Sequence, residues 1–403
     1  LDKTELKTQM PAMPAHTPFS PRPCRLAVIW IDWYAYHLAR FQALLDNVDL
    51  AGGVVGIELV GGVGVHAGLK FREEIPAGMP VQTLLPAASW REAKGFRLAM
   101  LLWNRLDLLS PEVVLVPGYY TLPGLAAALW AKVNGRRAVL MTESTGHDHK
   151  RAWWKEAFKG ALVRSLFDWA VAGGAPHRRY LQKLGFPTAR IARFYDVVDN
   201  DFFQSRSQAL RNYCDPSDFD LPDQYFLYVG RLAEEKNVVG LLEAYFQYRT
   251  AGGEWSLVYV GDGPQLQQLR ERVVCCEFGV DVHFAGLRSA PELPQYYGFA
   301  SCFVLPSTRE PWGLVANEAM ACGLPVILSQ RCGCIEDLLH EPENGFSFDP
   351  DQQDELAATL FAMSHLNLEQ RADMGIRSQE IIARFSPQAW AKEIAKIVED
   401  PAQ

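Results

Sequence analysis

The sequence has no run of 18 or more apolar residues, the length a helix needs to cross a bilayer. The longest candidate, residues 51–69, is Gly-rich and interrupted by Glu58, and reads as a strand and turn. Its eight cysteines, at 24, 214, 275, 276, 302, 322, 332 and 334, form no C-x-x-C pair, so nothing indicates a zinc site or thioredoxin-type chemistry. Reduced thiols of a cytosolic protein are the plain reading. Positive charge is not in excess: 39 Lys and Arg face 47 Asp and Glu, for a net charge of −8, which argues against nucleic acid as a partner. A dinucleotide fingerprint is missing too. Gly52-Gly53 and Gly61-Gly62-Val63-Gly64 lack the strand, Gly-rich turn and helix context with an acidic residue about twenty positions on. There is no Met at position 1, and residues 1–23, with five prolines, read as a disordered tail.

What is present is ordinary for a globular protein, 49% hydrophobic and 21% charged residues. A chain of 403 residues exceeds one ordinary core and predicts two domains. In the first half, strands are expected at 25–31, 53–60, 81–85, 112–116, 137–141 and 168–172, with helices to about Asp46 and at 92–109, 122–133, 150–167 and 175–184. A second such series runs from strand 225–229 to about 363, followed by helices at roughly 367–384 and 387–399. This alternation predicts α/β architecture with two doubly wound, Rossmann-like domains. The expected division is a tail at 1–23, a first domain at 24–203, a linker at 204–224, a second domain at 225–384, and a C-terminal helix at 385–403 crossing back to the first.

The most informative stretch is residues 302–326. Strand Cys302-Phe303-Val304-Leu305 breaks at Pro306, a loop carries Glu310, and Gly313 opens a helix containing Glu318. Backbone N–H groups at such a helix start, with the helix dipole, favour phosphate. The two carboxylates are spaced by roughly 12 Å at about 1.5 Å per residue, enough to hold opposite ends of a nucleotide sugar. Gly230-Arg231-Leu232-Ala233-Glu234-Glu235-Lys236 follows another strand and places two cations at the same sheet edge, suited to a diphosphate. Gly261-Asp262-Gly263-Pro264 is a tight turn into a helix.

In the first half, ligands should meet the loops beyond the strand ends. These hold Asp32, Trp33, Tyr34 and His37, then Glu143, His147 and His149, with Asp148 a possible helix cap. The helix at 150–167 combines Lys150, Arg151, Lys155, Lys159 and Arg164 with Trp153, Trp154 and Phe158, a basic and aromatic pattern suited to an anionic membrane surface or to a solvated domain helix. Asp199-Asn200-Asp201 and Asp218-Phe219-Asp220 are D-x-D patterns read as solvated loop carboxylates rather than metal ligands.

In order, Tyr-Val-Gly-Arg-Leu-x-x-Glu-Lys-Asn, Val-Gly-Asp-Gly-Pro, Phe-x-Gly, Leu-Pro-Ser and Glu-x-x-Gly-Leu-Val-x-x-Glu-Ala-Met-Ala-x-Gly-x-Pro-Val occur between Tyr225 and about Asp349. This set resembles the retaining glycosyltransferases of family 4, which have the GT-B fold. The resemblance implies that Arg231 and Lys236 bind the donor diphosphate and that Glu310 contacts the transferred sugar. It assigns Gly313, Leu314 and Val315 to phosphate or sugar through backbone N–H groups, Glu318 to the ribose, and the region of Gly286 and Leu287 to the base. Gly230, Gly261, Asp262, Gly263, Pro311 and Trp312 complete the donor side, and His147 joins Glu310, Arg231 and Lys236 as a catalytic candidate. The first half departs from the family. Asp32-Trp33-Tyr34-Ala35-Tyr36-His37 keeps only the His of a Gly-Gly-x-x-x-His loop, and Tyr195-Asp196-Val197-Val198-Asp199 replaces Pro-Asn-Gly-Val-Asp.

The expectation is therefore transfer of a hexosyl unit from a UDP- or GDP-linked sugar to a hydroxyl of a glycan or lipid-linked acceptor. It would proceed with retention and without metal or other cofactor, in a cytoplasmic protein peripheral to the membrane. A GT-B sugar-nucleotide epimerase and a non-catalytic nucleotide-sugar binder are the alternatives.

Overall fold

The computed structural model describes residues 24–50, 52–62, 74–93, 95–144 and 153–401. The tail 1–23, His147, Asp148, His149, Lys150 and Arg151 lie outside them. Two parallel sheets form the frame. The first contains β1 (Leu26–Trp30), β2 (Val54–Val60), β3 (Val81–Leu85), β4 (Val113–Pro117), β5 (Arg137–Thr142), β6 (Trp169–Ala172) and β7 (Ile191–Ala192), in the order β3-β2-β1-β4-β5-β6-β7. The second contains β8 (Tyr225–Val229), β9 (Ser256–Val260), β10 (Val282–Gly286), β11 (Cys302–Leu305), β12 (Val326–Ser329) and β13 (Gly345–Phe348), in the order β10-β9-β8-β11-β12-β13. In both, the order reverses beside the first strand, which opens a crevice at the carboxyl edge. The central strands β1, β8 and β11 are buried throughout, as parallel strands covered on both faces must be.

One apolar cluster lies under helices Phe96–Leu109 and Leu122–Val133 of the first domain. Another lies under helices Val238–Thr250 and Gln353–Ser364 of the second. A third runs through both domains, from Leu26 and Trp30 by way of Trp312 and Trp390 to Phe303. The last helix, Pro387–Glu399, starts on a Ser386 Oγ cap 3.2 Å from the Ala389 N–H and lies against the first domain. There Arg137 donates to the carbonyls of Ile397 and Asp400, both at 2.6 Å, and of Val398 at 2.9 Å. These are carbonyls that the helix end leaves without internal partners.

Three elements differ from expectation. The stretch 204–224 is no extended linker, because helix Asn200–Tyr213 and a 3₁₀ turn at Pro216–Phe219 occupy most of it. Asp199 Oδ1 caps that helix by accepting the Phe202 N–H at 3.0 Å, a side-chain signal hidden inside the first D-x-D pattern. Arg211 then fixes it to the second domain through the carbonyls of Gly298 and Cys322, at 3.2 and 3.1 Å. The helix expected over 92–109 is two, Trp90–Ala93 and Phe96–Leu109, with Gly95 at φ +151° just before the second. The two-residue strand β7 was too short to show a pattern.

Candidate functional site

The carboxyl ends of β8, β9 and β11 build the second-domain side. Gly230 and Gly261 run so close that a Cβ on Gly261 would sit 1.9 Å from the Gly230 carbonyl oxygen. Both have φ near +145° (148° and 144°), which a glycine adopts without strain. Gly263 likewise faces the Leu232 carbonyl, 2.4 Å from where a Cβ would stand. Asp262 Oδ1 accepts the Gly263 N–H at 2.7 Å and so shapes its own turn. At the end of β10, a Cβ on Gly286 would meet no atom within 4 Å, so the chain there borders open space.

Lys236 and Glu310 meet across this edge. Lys236 Nζ donates to Glu310 Oε2, which also accepts from Ser307 Oγ at 3.1 Å. The Glu310 side chain is 8% exposed and that of Lys236 21%, so the pair sits at the rim of the protein interior, where charge is weakly screened. Gly313, at φ +102°, then turns the chain into helix Leu314–Ala321. A Cβ on Gly313 would stand 2.7 Å from Leu305 Cδ2 and 3.3 Å from Glu310 Cγ, so the helix start and the carboxylate are packed as one unit. One turn on, Glu318 Oε2 accepts from Tyr297 OH at 2.7 Å. Burial pushes the Glu318 carboxyl up to about 7, and the Tyr297 bond opposes it. Arg231 is half exposed and donates to Glu235.

Trp312 differs from its donor-side expectation. It is 1% exposed, its Nε1–H donates to Asn317 Oδ1 at 2.9 Å, and its ring faces His177 and Phe385 at the domain boundary. Such a ring offers no face to a donor. Cys332 and Cys334 lie beneath the same loop, buried and unoxidised, and burial followed by nearby negative charge pushes both thiols well up. They are inert packing groups at neutral pH.

On the first-domain side, Asp32 accepts from Tyr34 OH at 2.7 Å. His37 stacks on Trp30 with centroids 4.7 Å apart and accepts the Tyr34 N–H at Nδ1, 3.3 Å away. Burial, then the Arg40 charge, holds its imidazole well below the usual range, so it is neutral. Trp33, expected at the acceptor side, is fully buried and packs edge-on against Trp30 and Phe41. It is core, because its ring fills the space where Gly56 has no Cβ, within 2.8 Å. Glu143 is exposed beyond β5, and its charge reaches Tyr36, Tyr120 and Asp196.

Sequence reasoning passed over Arg40 and Asp196. Both are fully buried and 3.9 Å apart, with Arg40 lying over the rings of Tyr36 and Tyr195 at 5.0 and 4.6 Å. Burial, then Glu143, holds the Asp196 carboxyl well above its usual value, with Arg40 opposing. An aspartate in Tyr195-Asp196-Val197 gave no sign of burial. It stands where the loop after β7 dives between the domains. The basic helix, Trp153–Leu166, also turns part of its charge inward. Lys159 donates to Tyr180 OH and lies over the rings of Tyr119 and Tyr180, and Arg164 donates to the Leu184 carbonyl. Phe158 remains 71% exposed.

Comparison with known proteins agrees with this fold. Residues 213–381 match the family described as glycosyl transferases group 1. Sulfoquinovosyl transferase SQD2 of Arabidopsis thaliana is 30% identical over 205 residues, 50% of this chain and 37% of that protein. Alpha-monoglucosyldiacylglycerol synthase of Streptococcus pneumoniae is 34% identical over 105 residues, 26% of this chain and 24% of that protein. The chain thus spans well under half the length of these curated relatives. Among solved structures, Anabaena HepE in complex with UDP superposes with a TM-score of 0.69 at 17% identity, over 94% of this chain and 100% of that one. The E. coli trehalose-6-phosphate structure bound with UDP-2-fluoro glucose gives a TM-score of 0.71 at 13% identity, over 94% and 99%. Residues 213–381 are thus similar to the group 1 glycosyl transferases, in a chain with the GT-B fold of two Rossmann-like domains.

Proposed function

We propose that this protein moves a hexosyl unit from a nucleoside diphosphate sugar to a hydroxyl acceptor, with retention at the anomeric carbon. The observation that carries the reading is the Lys236–Glu310 pair beside the N-terminus of helix Leu314–Ala321. It sets a cation, free backbone N–H groups and a carboxylate within one small volume. Lys236 and Arg231 neutralise the diphosphate, and the N–H groups of Leu314 and Val315 bind its oxygens. Glu318 accepts from the ribose hydroxyls, and Glu310 holds the sugar. The bond from the anomeric carbon to the leaving phosphate oxygen breaks while the acceptor oxygen bonds on the same face. The acceptor proton passes to the departing phosphate. The two cations and the helix dipole carry the leaving-group charge that a divalent ion would otherwise carry, so transfer proceeds without metal.

A UDP sugar is the first donor to test, since the HepE structure holds UDP and the trehalose-6-phosphate structure a UDP sugar. A lipid-linked acceptor, met at a membrane surface, is supported by the name of the pneumococcal relative and by exposed apolar side chains on neighbouring helices. Leu122, Leu129 and Val133 line the outward stripe of one, exposed by 47, 47 and 63%. Phe96 and Met100 stand out from the next, which packs against the first. Release of nucleoside diphosphate from UDP- and GDP-hexoses, with glycan and lipid acceptors in the presence of a chelator, tests the reading. Turnover without acceptor that converts the donor sugar would favour an epimerase, and binding without turnover a non-catalytic role.

A further inference from the structure

The loop that carries Glu310 is held from both domains. Its three successive carbonyls are all bound. The Gly333 N–H donates to Glu310 O at 2.9 Å and the Cys334 N–H to Trp312 O at 3.3 Å, both within the second domain. The carbonyl between them, that of Pro311, is bound from the first domain by His177 Nε2 at 2.9 Å. The tautomer follows from the other ring nitrogen. Nδ1 accepts the Gly174 N–H at 3.2 Å, so the ring proton is on Nε2 and points at Pro311. His177 is fully buried, and the approach is close: a Cβ on Gly333 would stand 1.7 Å from the Pro311 oxygen and 3.3 Å from His177 Cε1.

The mount of His177 is itself anchored across the boundary. Asp337 Oδ2 accepts the Ala175 N–H at 2.6 Å at the start of helix Ala175–Lys183, and Asp337 Oδ1 accepts from Arg193 at 3.1 Å. Gly174 has no room for a side chain, since a Cβ there would stand 2.2 Å from Asp337 Oδ2 and 2.5 Å from the Trp312 ring. A second strut runs the other way, where Asn317 Nδ2 donates to the Asp196 carbonyl at 3.0 Å while its Oδ1 holds Trp312.

We infer that His177 is a positioning residue of the first domain, whose bond to the Pro311 carbonyl sets the place of Glu310 and of the helix start at Gly313. It touches neither donor nor acceptor. The contact makes the second-domain site depend on how the first domain sits against it, so separating the domains there frees the Pro311 carbonyl, the one of these three that no second-domain group binds. The inference rests on the role proposed above for Glu310.

Two substitutions separate the bonds. His177→Asn keeps an acceptor for the Gly174 N–H and is too short to reach Pro311, whereas His177→Gln restores a donor near the Nε2 position. In the ligand-free protein, His177→Asn should speed hydrogen exchange of amides 312–317 about tenfold, leave helix Ala175–Lys183 and β8 unchanged, and be reversed by His177→Gln. Calorimetry should find UDP affinity within twofold of wild type in His177→Asn, while kcat with UDP-glucose falls at least tenfold at constant KM. Unchanged exchange at 312–317, or equal effects of both variants, would overturn the positioning role. So would a rise in exchange through the whole first domain. A wild type that binds no UDP contradicts the donor reading and leaves the exchange result standing.

Discussion

Lys236 Nζ and Glu310 Oε2 are hydrogen-bonded although 74 residues separate them, and this pair ties the loop after β8 to the loop after β11. A cation suited to phosphate and a carboxylate suited to a sugar hydroxyl thereby share one small space. Removing Lys236 leaves Glu310 with the Ser307 Oγ bond alone, and removing Glu310 leaves Lys236 without its carboxylate partner.

Glu310→Gln keeps the shape and the Ser307 contact and removes the charge. Turnover should fall by at least two orders of magnitude, while circular dichroism shows a folded protein and UDP still binds. Near-normal turnover in this variant would remove Glu310 from the reacting centre.

Glu318 predicts a pH dependence. Its carboxyl is raised in the folded protein to about 7, so the folded state binds more protons than the unfolded between the ordinary carboxylate pKa and 7. Its contribution to stability therefore declines as pH rises through that window and is constant above it. Ribose hydroxyls donate best to the carboxylate form. UDP affinity should accordingly increase from pH 6 to 8 with a midpoint near 7, and Glu318→Gln should abolish the dependence. A flat wild-type profile by calorimetry would contradict the ribose role.

Gly313→Ala puts a side chain at φ +102°, at a cost of about 1–3 kcal/mol, and brings its Cβ against Leu305 and Glu310. The helix start must shift, so nucleotide affinity should drop about tenfold or more. A lowered melting temperature with unchanged UDP affinity would separate the helix start from phosphate binding.

Arg137→Ala leaves the last carbonyls of helix Pro387–Glu399 without the donors that fix them to the first domain. Charged hydrogen bonds of this type are worth about 1.5–3 kcal/mol each in favourable cases. The helix should loosen, visible as faster hydrogen exchange at 387–400 and easier proteolysis there, with UDP affinity retained.

The grouping of the second-domain candidate residues at one sheet edge was legible in the sequence because it is set locally. Gly230, Gly261 and Gly313 are glycines that backbone approach or positive φ demands, and Glu310, Lys236 and Glu318 follow strand ends at short spacing. The sheets were legible for a similar reason, since parallel strands buried on both faces read as short apolar runs. What escaped depends on contacts distant in sequence. Trp33 and Trp312 stood in ligand-facing loops, yet both rings turn into the core or the domain boundary, a choice made by packing partners such as Phe41 and Asn317. His177 gave no signal, because its partner is a backbone carbonyl 134 residues away. Arg40 and Asp196 sit in a buried polar cluster that no spacing announces. Helix Asn200–Tyr213 looked like a linker because its mean polarity is high, and its few buried contacts, Phe203 and Ser207, form against the second domain.

The proposed nucleoside diphosphate site, in the loops after β8 and β11, draws its positive charge from Lys236 and Arg231. Titration calorimetry of UDP and GDP against wild type and the Arg231→Ala, Lys236→Ala double variant is the decisive measurement. One of the two nucleotides should bind the wild type saturably and lose at least tenfold in affinity in the double variant. Equal affinity in both proteins, or no binding of either nucleotide to the wild type, would contradict it.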